Sequence, residues 1–238
     1  MYKIYMIIIV NNSCKPINKT IRNLKLKYII EKLIGKQNVI VVDNAEDIVH
    51  IVTKKNIRNK IKGIILTGSE LRINDKMYLG KIMNSLLPIL EFNVPILGIC
   101  FGYQILCSLY KGQFNSFNVM QIGDKPIKLS NNELFVGVPK KSDLYVAHFD
   151  YTKTIPTLFK NIAVGETGIN YGVKHKYKPI YGLLFHPEFS NSKKNIGITI
   201  IKNFLKICSI KFDNNVEYSD IKEVKHPSGP FDFLYMFK

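Results

Sequence analysis

The segment Val94-Pro-Ile-Leu-Gly-Ile-Cys-Phe-Gly-Tyr-Gln104 constrains this chain more than any other. Its apolar run, 94–99, reads as a buried strand. The run closes on Gly98-Ile-Cys-Phe-Gly102, and a helical pattern follows over 101–110 until Gly112 ends it. A strand that turns sharply into a helix with a thiol at the apex is a nucleophile elbow, with cysteine in the position serine usually takes. Such a turn strains the backbone at Cys100, and Gly98 and Gly102 leave room for a close strand–helix crossing. The sulfur then faces the positive end of a helix, where negative charge is favoured.

The rest of the chain supplies the sheet this elbow needs. Residues 2–10 are rich in isoleucine and read as a buried first strand. A polar loop, 11–19, leads to a helix over 20–34 with Ile21, Leu24, Tyr28, Ile29 and Leu33 on one side, stopping at Gly35. A second strand is expected over 38–42. Asn44 then caps a helix bearing Ile48, Ile51 and Val52. A third strand over 63–66 ends in the turn Thr67-Gly68-Ser69, and a helix is expected over 75–92. Strand and helix alternating in this way imply a mostly parallel, doubly wound sheet with helices on both faces and a site at the C-terminal ends of its strands. From 113 to 178 the pattern changes to short strand-like pieces and turns, clearest at 144–147 and 162–164. A final strand over 179–185 leads into His186, and 196–208 reads as the closing helix. The chain divides into one domain over 1–210 and an extension over 211–238 whose role the sequence leaves open.

With 238 residues, 46% of them hydrophobic, the chain can bury one α/β core. No apolar run approaches the roughly 18 residues of a membrane helix, and the first residues do not form a signal peptide. Cys14, Cys100, Cys107 and Cys208 show no paired spacing, which points to reduced thiols in the cytoplasm. The net charge of +16 invites a nucleic-acid reading. Arginine, the preferred residue for bidentate phosphate and base contacts, occurs only at Arg22, Arg58 and Arg72. A solvated lysine surface, able to steer an acidic partner, is the better reading, and nucleic acid is not expected. No cluster has metal-ligand spacing, and no glycine-rich phosphate loop is present.

A thiol at an elbow needs a base and an acid to orient it. Phe185-His-Pro-Glu188 offers both, 86 residues beyond Cys100. Together, the 98–104 and 185–188 segments resemble the class I, triad-type glutamine amidotransferases. Three further pieces are most like the amidotransferase part of GMP synthase: Ile64-Ile-Leu-Thr-Gly-Ser-Glu70, Tyr145-Val-Ala-His-Phe-Asp150 with Ile155-Pro156, and Tyr181-Gly-Leu-Leu-Phe-His-Pro-Glu-Phe-Ser190 with Gly197 and Asn203-Phe-Leu205. The resemblance implies a flavodoxin-like sheet with a small antiparallel extension inserted between nucleophile and base. It implies Cys100 as nucleophile toward L-glutamine, His186 as the proton carrier and Glu188 as its orienting acid. The oxyanion donors would be the backbone N–H groups of Ser69 and Phe101, with Gly68, Gln104 and His148 around the substrate. No cofactor is implied for this chain. ATP and magnesium would belong to a separate synthetase of the ATP-pyrophosphatase type.

The chain also departs from the family pattern. Ser69 stands where the family has its oxyanion glycine, and a serine resists positive φ. Leu184 replaces a usual glutamine and reads as a buried strand residue. Gln104, one helical turn beyond Cys100, reads equally as a substrate contact or as an ordinary polar residue of the cleft. His148 reads equally as a substrate neighbour or as a satisfied core histidine, while His50, His175 and His226 read as surface residues. The departures keep alternatives open: a binding or regulatory protein that keeps the fold with impaired chemistry, an amidotransferase subunit for another acceptor such as anthranilate or p-aminobenzoate synthesis, and a γ-glutamyl peptide hydrolase. Acylation of Cys100 by glutamine separates the first of these from the catalytic readings.

Overall fold

The computed structural model describes residues 5–17, 20–43, 48–54, 56–74, 80, 86–190 and 195–221. The elements are β1 (Met6–Asn11), α1 (Ile21–Ile34), β2 (Val39–Asp43), α2 (Ile48–Lys54), β3 (Ile61–Leu66), β4 (Ile96–Ile99), α3 (Phe101–Leu109), β5 (Gln113–Leu129), β6 (Lys141–Thr154), β7 (Phe159–Gly165), β8 (Asn170–His175), β9 (Ile180–Leu183) and α4 (Ile196–Ile207). These strands form one sheet in the order β2-β1-β3-β4-β9-β8-β7-β5-β6. The first five in that order pair in parallel. The remaining pairings are antiparallel and extend the sheet from β9.

Burial explains the parallel part. Ile7, Ile8, Ile9 and Val10 are each fully buried, so β1 is covered on both faces, as an unbroken apolar run requires. The faces can be assigned from register. Leu66 aligns with Gly98, and Gly98 with Gly182, so these positions share one face. A Cβ on Gly98 would lie 2.7 Å from Leu106, and one on Gly182 2.7 Å from Tyr103, so that face carries α3. Gly63 lies three residues from Leu66 in the same strand and therefore points the other way. Its Cβ would lie 2.4 Å from the Cys208 sulfur, just beyond α4. Helices cover both faces, as the alternation in the sequence implies.

The structure corrects several details. The 113–178 region does not consist only of short pieces: β5 and β6 form a long ribbon, interrupted by a bulge between Ser116 and Gln121. Only two of the 17 residues of β5 are buried, so its hydrophobic period is weak, and Gly123 and Pro126 within it look like turn signals. The expected helix over 75–92 is a 3-10 helix where it is described at its end, Leu87–Phe92. Pro88 lacks the N–H that an α-helix would use there, and 75–79 and 81–85 lie outside the described residues, as do Asn44 and His226. The first strand begins at Met6, within the described part of the expected 2–10 run, and the last is shorter than expected, Ile180–Leu183. His175 is not a surface residue. It is buried, its Nδ1 accepts from the N–H groups of Tyr177 and Lys178 at 3.1 Å each, and burial holds its pKa below the usual imidazole value. His50 is exposed.

The extension turns back onto the body. The Asp213 N–H donates to the Leu33 carbonyl at 3.0 Å, and Val216 is buried. Residues 222–238 lie outside the described residues.

Candidate active site

The C-terminal ends of β3, β4 and β9 converge on Cys100. Its backbone sits at φ 50° and ψ −103°, outside the ordinary regions for a residue with a side chain. Such a conformation costs on the order of 1–3 kcal/mol and persists only where the surroundings impose it. Here the Cys100 N–H donates to the Leu183 carbonyl at 2.7 Å, and the Gly102 N–H donates to the Thr67 carbonyl at 3.1 Å. A Cβ on Gly102 would stand 2.3 Å from the Leu66 carbonyl oxygen. Only glycine lets the start of α3 press this closely on the end of β3.

The imidazole arrives from β9. The His186 N–H donates to the Tyr145 carbonyl of β6 at 2.7 Å, and the chain then turns tightly through 186–190. A straight strand would carry Glu188 along with His186 on one face. The turn instead brings the carboxylate back, and His186 Nδ1 meets Glu188 Oε1 at 2.7 Å with both side chains buried. A carboxylate can only accept, so Nδ1 carries the proton and Nε2 is left for other chemistry. Nε2 has no hydrogen-bond partner of regular geometry. A Cβ built on Gly68 would lie 3.2 Å from His186 Cε1 and 3.5 Å from Cys100 Cβ, which places Gly68 between base and thiol. Burial by itself would lower the His186 pKa. The Glu188 charge, and then the nearby Cys100, outweigh it and raise the pKa to about 9.

The loop after β3 closes the site. Asn12 Nδ2 donates to the Thr67 carbonyl at 2.8 Å, and Asn23 Nδ2 to the Gly68 carbonyl at 3.3 Å. Ser69 is not among the residues at positive φ, so the strain expected of a serine there does not arise. Its hydroxyl accepts from the Leu71 N–H at 3.1 Å, a local turn open to serine. No hydrogen bond of the described residues uses the N–H of Ser69 or of Phe101. Glu70 accepts from the Ser13 hydroxyl and the Cys14 N–H, each at 2.8 Å, and so ties the loop to the segment after β1.

A narrow cleft reaches Cys100, lined among others by Arg22, Ser69, Arg72, Gln104 and His148. Gln104 is buried, and its Nε2 donates to the Asp150 carbonyl at 3.0 Å. Its amide therefore holds β6 against α3 as well as facing the cleft. His148 is buried, and neither ring nitrogen makes a hydrogen bond of regular geometry, unlike a fully satisfied core histidine. Burial, then the neighbouring His186, pull its pKa down to about 4, and it is neutral at pH 7. Leu184 is fully buried, just past the end of β9.

Sequence reasoning missed the ion pair on the other wall. Arg72 binds Asp150 through two hydrogen bonds of 2.8 and 2.6 Å, and the carboxylate also accepts from the Ser116 hydroxyl at 2.6 Å. Burial opposes the charge, but Arg72 and Ser116 together hold Asp150 below its usual pKa. The pair locks the 67–74 loop to β6. One signal was present: two of the chain's three arginines, Arg22 and Arg72, line this cleft. Asp150→Asn should release the loop and destabilise the protein by about 2–3 kcal/mol. This is below the usual loss for breaking a buried pair because the Arg72 side chain is 36% exposed. The expected readout is a melting temperature roughly 4–12 °C lower. A melt within 1 °C of the parent would mean that the pair does not hold the loop.

The class-I glutamine amidotransferase family model matches residues 23–208. The chain belongs to this family. Among its relatives, a glutamine-hydrolyzing GMP synthase subunit of Methanococcus aeolicus is 32% identical over 206 residues, covering 86% of this chain and 98% of that one. The subunit of the same name from Methanocaldococcus jannaschii is 30% identical over 209 residues, covering 87% of this chain and all of the other. In fold, the chain matches a crystal structure provisionally assigned as a GMP synthase subunit of Thermoplasma acidophilum, with a TM-score of 0.69 at 22% identity over 88% of this chain and 96% of that one. A glutamine amidotransferase of Thermotoga maritima matches with a TM-score of 0.61 at 20% identity, covering 87% and 86%. No helix of the described residues is long and apolar enough to cross a membrane.

Proposed function

We propose that this chain is the glutamine-hydrolysing subunit of a GMP-synthase-type enzyme, with Cys100, His186 and Glu188 as its catalytic triad. The observation that carries the proposal is the strained, buried Cys100 lining a cleft, beside a buried His186–Glu188 pair joined at 2.7 Å. The relatives named as glutamine-hydrolyzing GMP synthase subunits support the choice of acceptor pathway.

Cys100 gives its thiol proton to His186 Nε2 and attacks the side-chain amide carbon of L-glutamine, and the new C–S bond gives a tetrahedral oxyanion. The N–H groups of Phe101 and Ser69, which no hydrogen bond of the described residues uses, donate to that oxyanion. Each such donor contributes roughly 3–4 kcal/mol of transition-state stabilisation. His186 passes a proton to the departing nitrogen, the C–N bond breaks, and ammonia leaves behind a γ-glutamyl thioester. Water, deprotonated by His186, then cleaves the thioester to glutamate and restores the thiol. Glu188 keeps the imidazole oriented and balances its positive charge throughout. These steps need no cofactor in this chain. Ammonia passes to a separate synthetase of the ATP-pyrophosphatase type, which holds ATP and magnesium, and the reaction belongs in the cytoplasm.

Two measurements test this. Mixed with the synthetase component of a GMP synthase and its nucleotide substrates, the chain should support GMP formation from glutamine. Support from added ammonia only would refute the acceptor assignment. The second is the pH profile. The His186 pKa is raised on folding, so its protonated form is present below, and lost through, about pH 9. kcat/KM should therefore fall as pH rises through about 9. A basic limb near 6.5 would mean that Glu188 does not act on His186.

A further inference from the structure

The Glu188 carboxylate has one hydrogen-bonded oxygen, Oε1, which meets His186; Oε2 is buried without a partner. Among the described residues no second side chain steers the acid, so its position depends on the backbone of the 186–190 turn. That turn is fastened on three sides. The Tyr145 N–H donates to the Ser190 hydroxyl at 3.1 Å from β6, and the Gly197 N–H donates to the Ser190 carbonyl at 3.2 Å from α4. The third fastening comes from the extension: the Tyr218 hydroxyl donates to the carbonyl oxygen of Glu188 itself at 2.9 Å.

Tyr218 is itself held in place. Its N–H donates to Asn195 Oδ1 at 2.7 Å, and a capping box between Glu217 and Asp220 closes the short turn that carries it. The Lys25 ammonium lies 4.5 Å from the centroid of the Phe189 ring and 4.4 Å from that of Tyr218, bridging turn and extension. Tyr218 lies beyond residue 208, where the family match ends, so nothing in the family pattern supplies this contact.

We propose that the extension is a strap on the active site, and that Tyr218 is a positioning residue that sets the Glu188 carboxylate against His186. The inference rests on the reading of Glu188 as the acid of the triad. Tyr218 touches no reacting atom and acts only through the backbone of residue 188. The charged and titratable groups around the pair are Cys100 on the elbow, His148 and Tyr145 on β6, Arg22 and Lys25 on α1, Asp124 near Tyr145 on β5, and Tyr218 itself.

The test compares the full chain with Tyr218→Phe, which keeps the ring on Lys25 and removes only the hydroxyl. The control is Lys202→Met, which removes a different tie on the extension, the 2.7 Å bond from Lys202 Nζ to the Asn214 carbonyl. Ammonia release from glutamine is followed against pH, with a thermal melt of each variant. Tyr218→Phe should lower kcat between tenfold and about a hundredfold, with KM within about twofold. It should also move the basic limb of kcat/KM at least half a pH unit downward, because a displaced Glu188 supports the imidazolium less. Lys202→Met should leave kcat and the limb at parent values. An active parent with an unmoved limb and unchanged kcat in Tyr218→Phe would overturn the strap while leaving the triad intact. Equal losses in both variants, following their melts with no limb shift, would reduce the contact to ordinary stability and also overturn it. A parent with no glutamine hydrolysis either alone or mixed with the synthetase component would instead refute the proposed function.

Discussion

Cys100→Ala should abolish glutamine hydrolysis, lowering kcat by roughly 10⁶-fold, the size of loss seen when a triad loses its nucleophile. The fold should barely change. The side chain is small, its sulfur makes a weak 3.6 Å contact to the Ala147 carbonyl besides its interaction with His186, and the elbow is held by backbone bonds that alanine keeps. The melting temperature should stay within a few degrees of the parent. Ammonia release and a thermal melt on the same preparation check both halves. Activity retained above about a tenth of the parent level would place the nucleophile elsewhere, since no thioester could then form at residue 100.

Gly197→Ala should be the most damaging single methyl in the described structure. A Cβ there would stand 1.7 Å from the Pro187 carbonyl oxygen and 3.1 Å from that of Ser190. Both are backbone atoms of the turn that carries His186 and Glu188, so no side chain can swing aside. Overpacking of this kind costs typically 1–3 kcal/mol and occasionally more. A clash between backbones at this distance belongs at or above the upper end. The melting temperature should fall by about 6–12 °C. Because the turn must move, kcat should fall as well, even at temperatures where the variant is folded. A variant with the parent's melt and turnover would show that α4 and the turn are not packed as described.

The parts legible in the sequence are those where a local pattern has one structural meaning. The elbow was readable because Gly98-Ile-Cys-Phe-Gly102 lies between a buried apolar run and a helical pattern, and the structure places Cys100 at φ 50°. The parallel strands were readable because Ile7, Ile8, Ile9 and Val10 leave no face for water. The β5–β6 ribbon was not readable. A mostly solvated strand carries little hydrophobic period, and its pairing depends on partners far along the chain. Ser69 misled for a different reason: residue type suggested strain, whereas the backbone there stays in the ordinary region and the hydroxyl forms its own turn. Arg72–Asp150 and Tyr218–Glu188 lie beyond local pattern altogether, because each joins segments that only the folded chain brings together. His148 could be placed near the site from its motif, but only the structure shows that neither of its nitrogens makes a hydrogen bond of regular geometry.

The central claim is that Cys100 is a working nucleophile in a pocket shaped for glutamine. The most direct measurement is to expose the protein to a glutamine-mimicking electrophile, with and without excess glutamine, and to read intact mass and the modified peptide. The expected result is an adduct on Cys100 that glutamine suppresses and Cys100→Ala lacks, with the buried Cys107 and Cys208 unmodified and any labelling of the exposed Cys14 unaffected by glutamine. Labelling that misses Cys100, or that glutamine does not suppress, would contradict it.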